Sequence, residues 1–166
     1  MGAILTGRLV SKTMIERTLV IVKPDAVLRG RIGAVIQRLE DKGLKIIAAR
    51  FSRLSEATAQ KHYAEHSSKS FFSSLVSFIT ASPVMLMVVE GNRAIESVRN
   101  LLGKTNGVEA ASGTLRGDFS SSRAFNLVHA SDSAPSATRE IALFFKKSEI
   151  CEYALPTQDF LFEQGE

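Results

Sequence analysis

A chain of 166 residues, 45% apolar and 23% charged, can bury a core without disulfides or metals, and its composition excludes a disordered polymer. A net charge of +4 is too small to imply a nucleic-acid or membrane partner, though it suits polyanionic small substrates where basic side chains converge. The one cysteine, Cys151, cannot close an internal disulfide and reads as a small residue of the C-terminal segment, so a reducing, cytoplasmic location is expected.

No apolar run approaches the ~20 residues that span a bilayer. The start, MGAILTGRLVSKTM, is basic, and its apolar stretch Ala3–Leu5 is too short for a signal-peptide core. Residues 1–14 read as a disordered leader or as residues upstream of the native start, with a transit peptide as the weaker reading. Residues 15–166 read as one domain, including a C-terminal segment 147–166.

TLVIVKP (Thr18–Pro24) is β-branched and apolar, the pattern of a buried strand, and RGRIG then forms a turn. Ile32, Val35, Ile36 and Leu39 recur at helical spacing up to Gly43. LKIIAARFS (Leu44–Ser52) is a second strand. Ser55 caps a helix running through Tyr63 to His66. Phe71, Phe72, Leu75, Val76 and Ile79 mark another, stopped before Pro83. VMLMVVE (Val84–Glu90) is a third strand. Asn92 caps a helix carrying Ile95, Val98, Leu101 and Leu102. Residues 103–122 read as a long loop, and a loop of that length suggests a binding or interface role. FNLVH (Phe125–His129) is a fourth strand, and Ser133 or Ser136 caps a last helix with Ile141, Leu143 and Phe144. Removing one helical hairpin from this order leaves βαββαβ. The expected fold is therefore α+β: a ferredoxin-like antiparallel sheet with helices on one face and an added helical hairpin.

Two common phosphoryl-transfer motifs are mimicked only. Gly103-Lys104-Thr105 lacks the glycine a P-loop needs five residues earlier, where Val98 stands, and it follows a helix instead of a strand. Gly117-Asp118-Phe119 has no HRD segment to accompany it. His62 and His66, four apart on a helix, read as surface histidines with no third metal ligand nearby.

His129 ends a strand and opens the loop HASDS. Imidazole is nucleophilic near neutral pH and needs a partner on its second nitrogen, for which Glu140 on the next helix is a candidate. On the residues alone, His129 is a nucleophile or a satisfied structural histidine in equal measure. Lys23, Arg99 and Arg116, with the Thr105 hydroxyl, are the groups that offset charge on a phosphoryl group in transit. Each alone is ordinarily a solvated side chain.

The segments VKPDAVLRGRIG, KHYAE, KSFFSSLV, SPVMLMVVEG, VRNLLGKTN, GTLRGDF and NLVHASDS occur in the order found in nucleoside diphosphate kinases. From residue 16 to about 160 the chain resembles that family. The resemblance implies that His129 carries the phosphoryl group on its δ nitrogen, that Glu140 orients the ring, and that Ser131 and Tyr63 stand near it. It assigns Lys23, Arg99, Thr105 and Arg116 to phosphate, and Asn126 with Lys23 to the ribose 3′-hydroxyl. It assigns Phe71 to stacking on the base, with an apolar wall at Leu75 and around Val128. Magnesium is expected to arrive on the nucleotide phosphates, with no all-protein cage. The implied partners are nucleoside tri- and diphosphates and further copies of the chain, as a hexamer in preference to a tetramer, with YALPTQDFLFE long enough to pack on a neighbour.

Two departures stand out. Ala130 follows the histidine where glycine is common in the family. The loop GKTNGVEAASGTLRGDF lacks the prolines often present there, so it is expected to order less firmly, and proline at Gly107 or Ser112 is expected to stabilise it. A catalytically silent scaffold is disfavoured because every matched residue is present. An RNA-binding module would carry aromatics on its central strands, and TLVIVKP and VMLMVVE have none. A metal-dependent hydrolase would need more than one histidine of catalytic character.

Overall fold

The computed structural model describes residues 15–156 and Leu161. The expected leader, residues 1–14, and most of the tail beyond Pro156 lie outside the described residues. The elements in order are β1 (Ile15–Val22), α1 (Pro24–Leu28), α2 (Ile32–Asp41), β2 (Lys45–Ser52), α3 (Glu56–His62), α4 (Phe72–Thr80), β3 (Val84–Asn92), α5 (Ala94–Leu102), α6 (Leu115–Phe119), β4 (Val128–Ala130) and α7 (Ala134–Phe144). Short 3-10 turns cover Ala64–His66, Gly107–Glu109 and Lys147–Glu149.

The sheet order is β2-β3-β1-β4 with every pair antiparallel, the ferredoxin-like arrangement expected. Strand alternation builds a core on each face. On one face Val20, Val22, Met87 and Val89 pack against Val35 and Leu39 of α2 and Val98 and Leu102 of α5. These are the helices of the βαββαβ unit. On the other face Leu19, Ile21, Leu86 and Val88 meet Ala59 of α3, Val76 and Ile79 of α4, and Phe144 of α7. The added hairpin and α7 together thus close the second face. Among the described residues no helix is long and apolar enough to cross a membrane.

Several local expectations are corrected. The first helical turn comes earlier than RGRIG. Pro24 opens α1 with its φ already set and no N–H to satisfy, and Gly30 then turns the chain at φ 65. Asn92 does not cap α5. It ends β3, and Arg93 occupies the cap position at φ 47. The free N–H of Ile95 is met from another strand, by Glu16 Oε2 at 3.3 Å.

Residues 103–122 are not structureless. Thr114 caps α6 by accepting from Gly117 N at 3.1 Å, and Asp118 binds Arg38 at 2.5 Å and the Gly113 N–H at 2.7 Å. Within this segment a Cβ on Gly107 would run into the Ser120 carbonyl, and its N–H donates to Ser122 O at 3.1 Å. Proline cannot enter there. Finally, β4 is three residues long, because Leu127 adopts φ 70 and cannot continue an extended strand backwards.

Candidate active site

His129 pairs with Ile21 across the β4–β1 ladder, so its side chain lies on the face covered by α3, α4 and α7. Ala130 points to the opposite face and packs in the α2–α5 core. The Ala130 methyl is therefore directed away from the imidazole. Ser133 caps α7 by accepting from Ser136 N at 3.3 Å, and Glu140 stands about two turns into the helix, at the Nε2 edge of the ring.

Glu140 Oε2 lies 2.9 Å from His129 Nε2 and accepts from Ser131 Oγ at 2.8 Å. Ser131 is fixed in turn by Leu19, whose N–H donates to Ser131 Oγ at 3.2 Å and whose carbonyl accepts from Ser131 N at 3.2 Å. Burial opposes charge on Glu140, but the His129 hydrogen bond, the attraction exerted by the protonated form of that ring, and the Ser131 hydrogen bond outweigh it and hold the carboxyl below its usual range. An ionised carboxylate only accepts. In the neutral ring Nε2 therefore carries the proton and Nδ1 keeps its lone pair. Among the described residues nothing hydrogen-bonds Nδ1. The His129 side chain is 25% exposed, so the lone pair is reachable from solvent.

Tyr63 ends α3, and burial together with the Glu140 charge raises its hydroxyl to about 12, which keeps it a donor. His62, read from sequence as a surface residue, is instead buried. Its ring stands edge-on to His129 with centroids 4.6 Å apart and packs on Tyr63 and Phe144. Burial, then the neighbouring His129, lower it to about 3, so it is neutral. The missed signal was spacing: Ala59 and His62 lie three apart, on one face of a helix.

A second group gathers at the end of β1. Lys23 keeps extended geometry, φ −76 and ψ 167, and so falls on the same face as Ile21 and His129. It is 7% exposed and donates to Asn126 Oδ1 at 2.6 Å and to Ala124 O at 3.3 Å, with its ammonium 5.3 Å from the Phe78 ring. Desolvation lowers it to about 8, against the pull of Asp25 and with help from Arg116. Asn126 is buried and reaches the Thr105 and Arg123 carbonyls at 3.2 and 2.7 Å.

Arg116 ties three carbonyls, those of Asn126, Gly103 and Val128, at 3.2, 2.9 and 2.7 Å. Desolvation and the nearby Arg99 push it down to about 10. Two of its five N–H groups remain for a ligand. Arg99 is exposed and lines an open cleft with Asp132 and Ser133.

The structure thus joins His129, Glu140, Ser131, Tyr63 and His62 in one group, and Lys23, Asn126, Arg116 and the Thr105 backbone in another. The short segment 126–129 connects them. Phe71, 49% exposed, meets the first group only through a run of rings, lying 5.8 Å from His66, which is 6.5 Å from Tyr63. Leu75 is half-buried on α4.

The family model described as nucleoside diphosphate kinase matches residues 16–150. A nucleoside diphosphate kinase of Archaeoglobus fulgidus is 54% identical over 149 residues, covering 90% of this chain and 99% of the relative. One from Staphylococcus epidermidis is 48% identical over 148 residues, covering 89% and 99%. Among solved structures, a halophilic nucleoside diphosphate kinase from Halobacterium salinarum in complex with CDP superposes with a TM-score of 0.88 at 47% identity, covering 90% of this chain and all of that one. The Borrelia burgdorferi enzyme, a transition-state mimic with vanadate and ADP, gives 0.83 at 40% identity, covering 88% and 96%.

Sheet order, matched length and identity together define an α+β nucleotide-binding phosphotransferase. The chain belongs to the nucleoside diphosphate kinase family and is a kinase of that activity.

Proposed function

We propose that the chain transfers the γ-phosphoryl group of a nucleoside triphosphate, ATP above all, to a nucleoside diphosphate through a phosphohistidine on His129. The carrying observation is the 2.9 Å pair of His129 Nε2 and Glu140 Oε2, which leaves Nδ1 as the free lone pair. The Nδ1 lone pair attacks the γ phosphorus, the N–P bond forms, and the bond to the β-phosphate oxygen breaks with its electron pair leaving on the diphosphate. Glu140 offsets the charge that grows on the ring, and Ser131 holds Glu140. A terminal phosphate oxygen of the second diphosphate then attacks phosphorus, and the N–P bond breaks. One site serves both halves, because donor and acceptor differ only in base or sugar.

Lys23, Arg99, Thr105, Arg116 and Tyr63 supply cations and donors along the phosphate path. Asn126 with Lys23 receives the ribose, and Phe71 stacks the base beside Leu75. Stacking is base-tolerant because every base has a π-face. The phosphate-facing groups are cations and hydroxyls, a poor cage for magnesium, which favours oxygen anions. The fitting arrangement is Mg2+ carried on the nucleotide's own phosphate oxygens, where it offsets their charge. Residues 15–166 act as one catalytic domain, working as a homo-oligomer, a hexamer in preference to a tetramer, in the cytoplasm, where the activity maintains NTP and dNTP pools. The resemblance to hexameric relatives supports the assembly, and the lone cysteine supports the compartment.

Initial rates with ATP and GDP varied together test the scheme. Parallel double-reciprocal lines are expected. Intersecting lines would mean direct transfer between two nucleotides bound at once.

A further inference from the structure

His62 is 5% exposed, and neither ring nitrogen has a hydrogen-bond partner among the described residues. A neutral imidazole brings one donor and one acceptor, and burying both unmet is unfavourable. Phosphoryl transfer through His129 gives neither nitrogen a task. Yet one ligating atom each from His62, His129 and Glu140 lies within 4.8 Å of the others.

We propose that His62, His129 and Glu140 form an inhibitory site for a borderline divalent metal, Zn2+ being the best match. Two imidazoles and one carboxylate are the three-ligand set of open zinc sites, whereas magnesium prefers oxygen donors alone. Ligand atoms on a tetrahedral ion with 2.0–2.1 Å bonds stand about 3.3 Å apart. The widest gap of 4.8 Å therefore closes by about 1.5 Å. Rotation of the partly exposed His129 ring can supply most of that movement, and its solvent-facing flank leaves the fourth position open.

Either mode of ligation silences the nucleophile. An ion on Nδ1 occupies the lone pair directly. An ion on Nε2 sends the ring proton to Nδ1, where no lone pair then remains.

The inhibitory role rests on His129 being the phosphoryl acceptor; the binding site does not. The test titrates Zn2+ against a chromogenic chelator into the nucleotide-free and magnesium-free full chain. About one ion per chain is expected for the wild type. His62→Phe keeps an aromatic ring against Phe144 and should bind roughly 100-fold more weakly, while His66→Ala should change affinity less than about 2-fold. His129→Ala, which removes the second imidazole, should also lose roughly 100-fold in affinity. The zinc-loaded chain should take no phosphoryl group until the chelator is added. Wild-type affinity in His62→Phe, or in His129→Ala, overturns the proposal. If His62→Phe shows no cooperative melt, His129→Ala decides. If the wild type takes up no phosphoryl group even without zinc, the phosphohistidine reading fails, and the His62→Phe titration still judges the metal site.

Discussion

The backbone N–H of Leu127 donates to Asp25 Oδ2 at 3.0 Å, tying the turn before β4 to the start of α1. Leu127 needs that tie. It is fully buried in the left-handed region at φ 70, a conformation that costs a leucine about 1–3 kcal/mol. Its carbonyl accepts from Lys23 N at 2.8 Å, so both sides of the strained residue are anchored to the β1–α1 junction. Asn126 precedes it and His129 lies two residues on, so the two side-chain groups of the site are held in register through this one turn.

Asp25→Ala should therefore cost about 1–3 kcal/mol in urea unfolding and lower kcat as well. Asp25→Asn keeps a carbonyl acceptor and should recover most of the stability. If Asp25→Ala unfolds at the wild-type urea concentration, the bond does not hold the turn.

Burial of neutral His62 makes an acid-stability prediction. The unfolded chain protonates this ring near 6.5, the folded chain only near 3. The stability it protects is fully present above pH 6.5 and falls as pH drops toward 3, by up to about 1.4 kcal/mol per pH unit. Urea melts at pH 7 and pH 4.5 should show a smaller acid loss for His62→Phe than for wild type. Equal losses would place the ring in solvent in the folded protein.

The long segment after α5 separates two proline substitutions that look alike in sequence. Ala111 O accepts from Thr114 N at 3.2 Å across Ser112 and Gly113, and Gly113 has φ 87, which makes a type II turn with Ser112 at its second position. Proline is favoured there, so Ser112→Pro should stabilise by about 0.4–1 kcal/mol. Gly107→Pro should instead destabilise by more than that, through the Ser120 carbonyl and the lost Ser122 bond. Thermal melts of the two variants moving in the same direction would contradict this.

Much of this was legible in the chain because it is local. Runs such as TLVIVKP and VMLMVVE, the 3.6-residue spacing in α2 and α5, and the Ser55 cap needed no distant partner. His129 and Glu140 were legible by chemistry and resemblance, one at a strand end and the other on the following helix. What sequence missed depends on remote groups. The truncation of β4 follows from Leu127, whose conformation is supported by an aspartate 102 positions away. The start of α5 is served by Glu16 from β1, which no reading of Asn92 could reveal. The inward face of α3 was partly legible, since Ala59 and His62 share it, but polarity argued for solvent. Asn106, which caps the Gly107–Glu109 turn by accepting from Val108 N at 3.4 Å, and Thr114 were also legible as caps, and they would have shown that the 103–122 segment is ordered.

Lys23 gives a prediction in the alkaline range. With its folded value near 8, the ammonium is charged below that pH and loses its charge above it. The attraction it offers to phosphate is present at neutral pH and fades as pH rises through 8. The kcat/KM of the free enzyme should fall with an inflection near pH 8, and Lys23→Arg should remove that inflection, because arginine stays charged. An unchanged inflection in Lys23→Arg would assign it to another group.

The most direct measurement is the intact mass of the chain after mixing with Mg-ATP, and again after adding GDP. The expected result is a gain of one phosphoryl group that GDP removes and that His129→Ala abolishes while nucleotide still binds. An unmodified mass in an enzyme that is turning over, or the same gain in His129→Ala, would contradict His129 as the carrier.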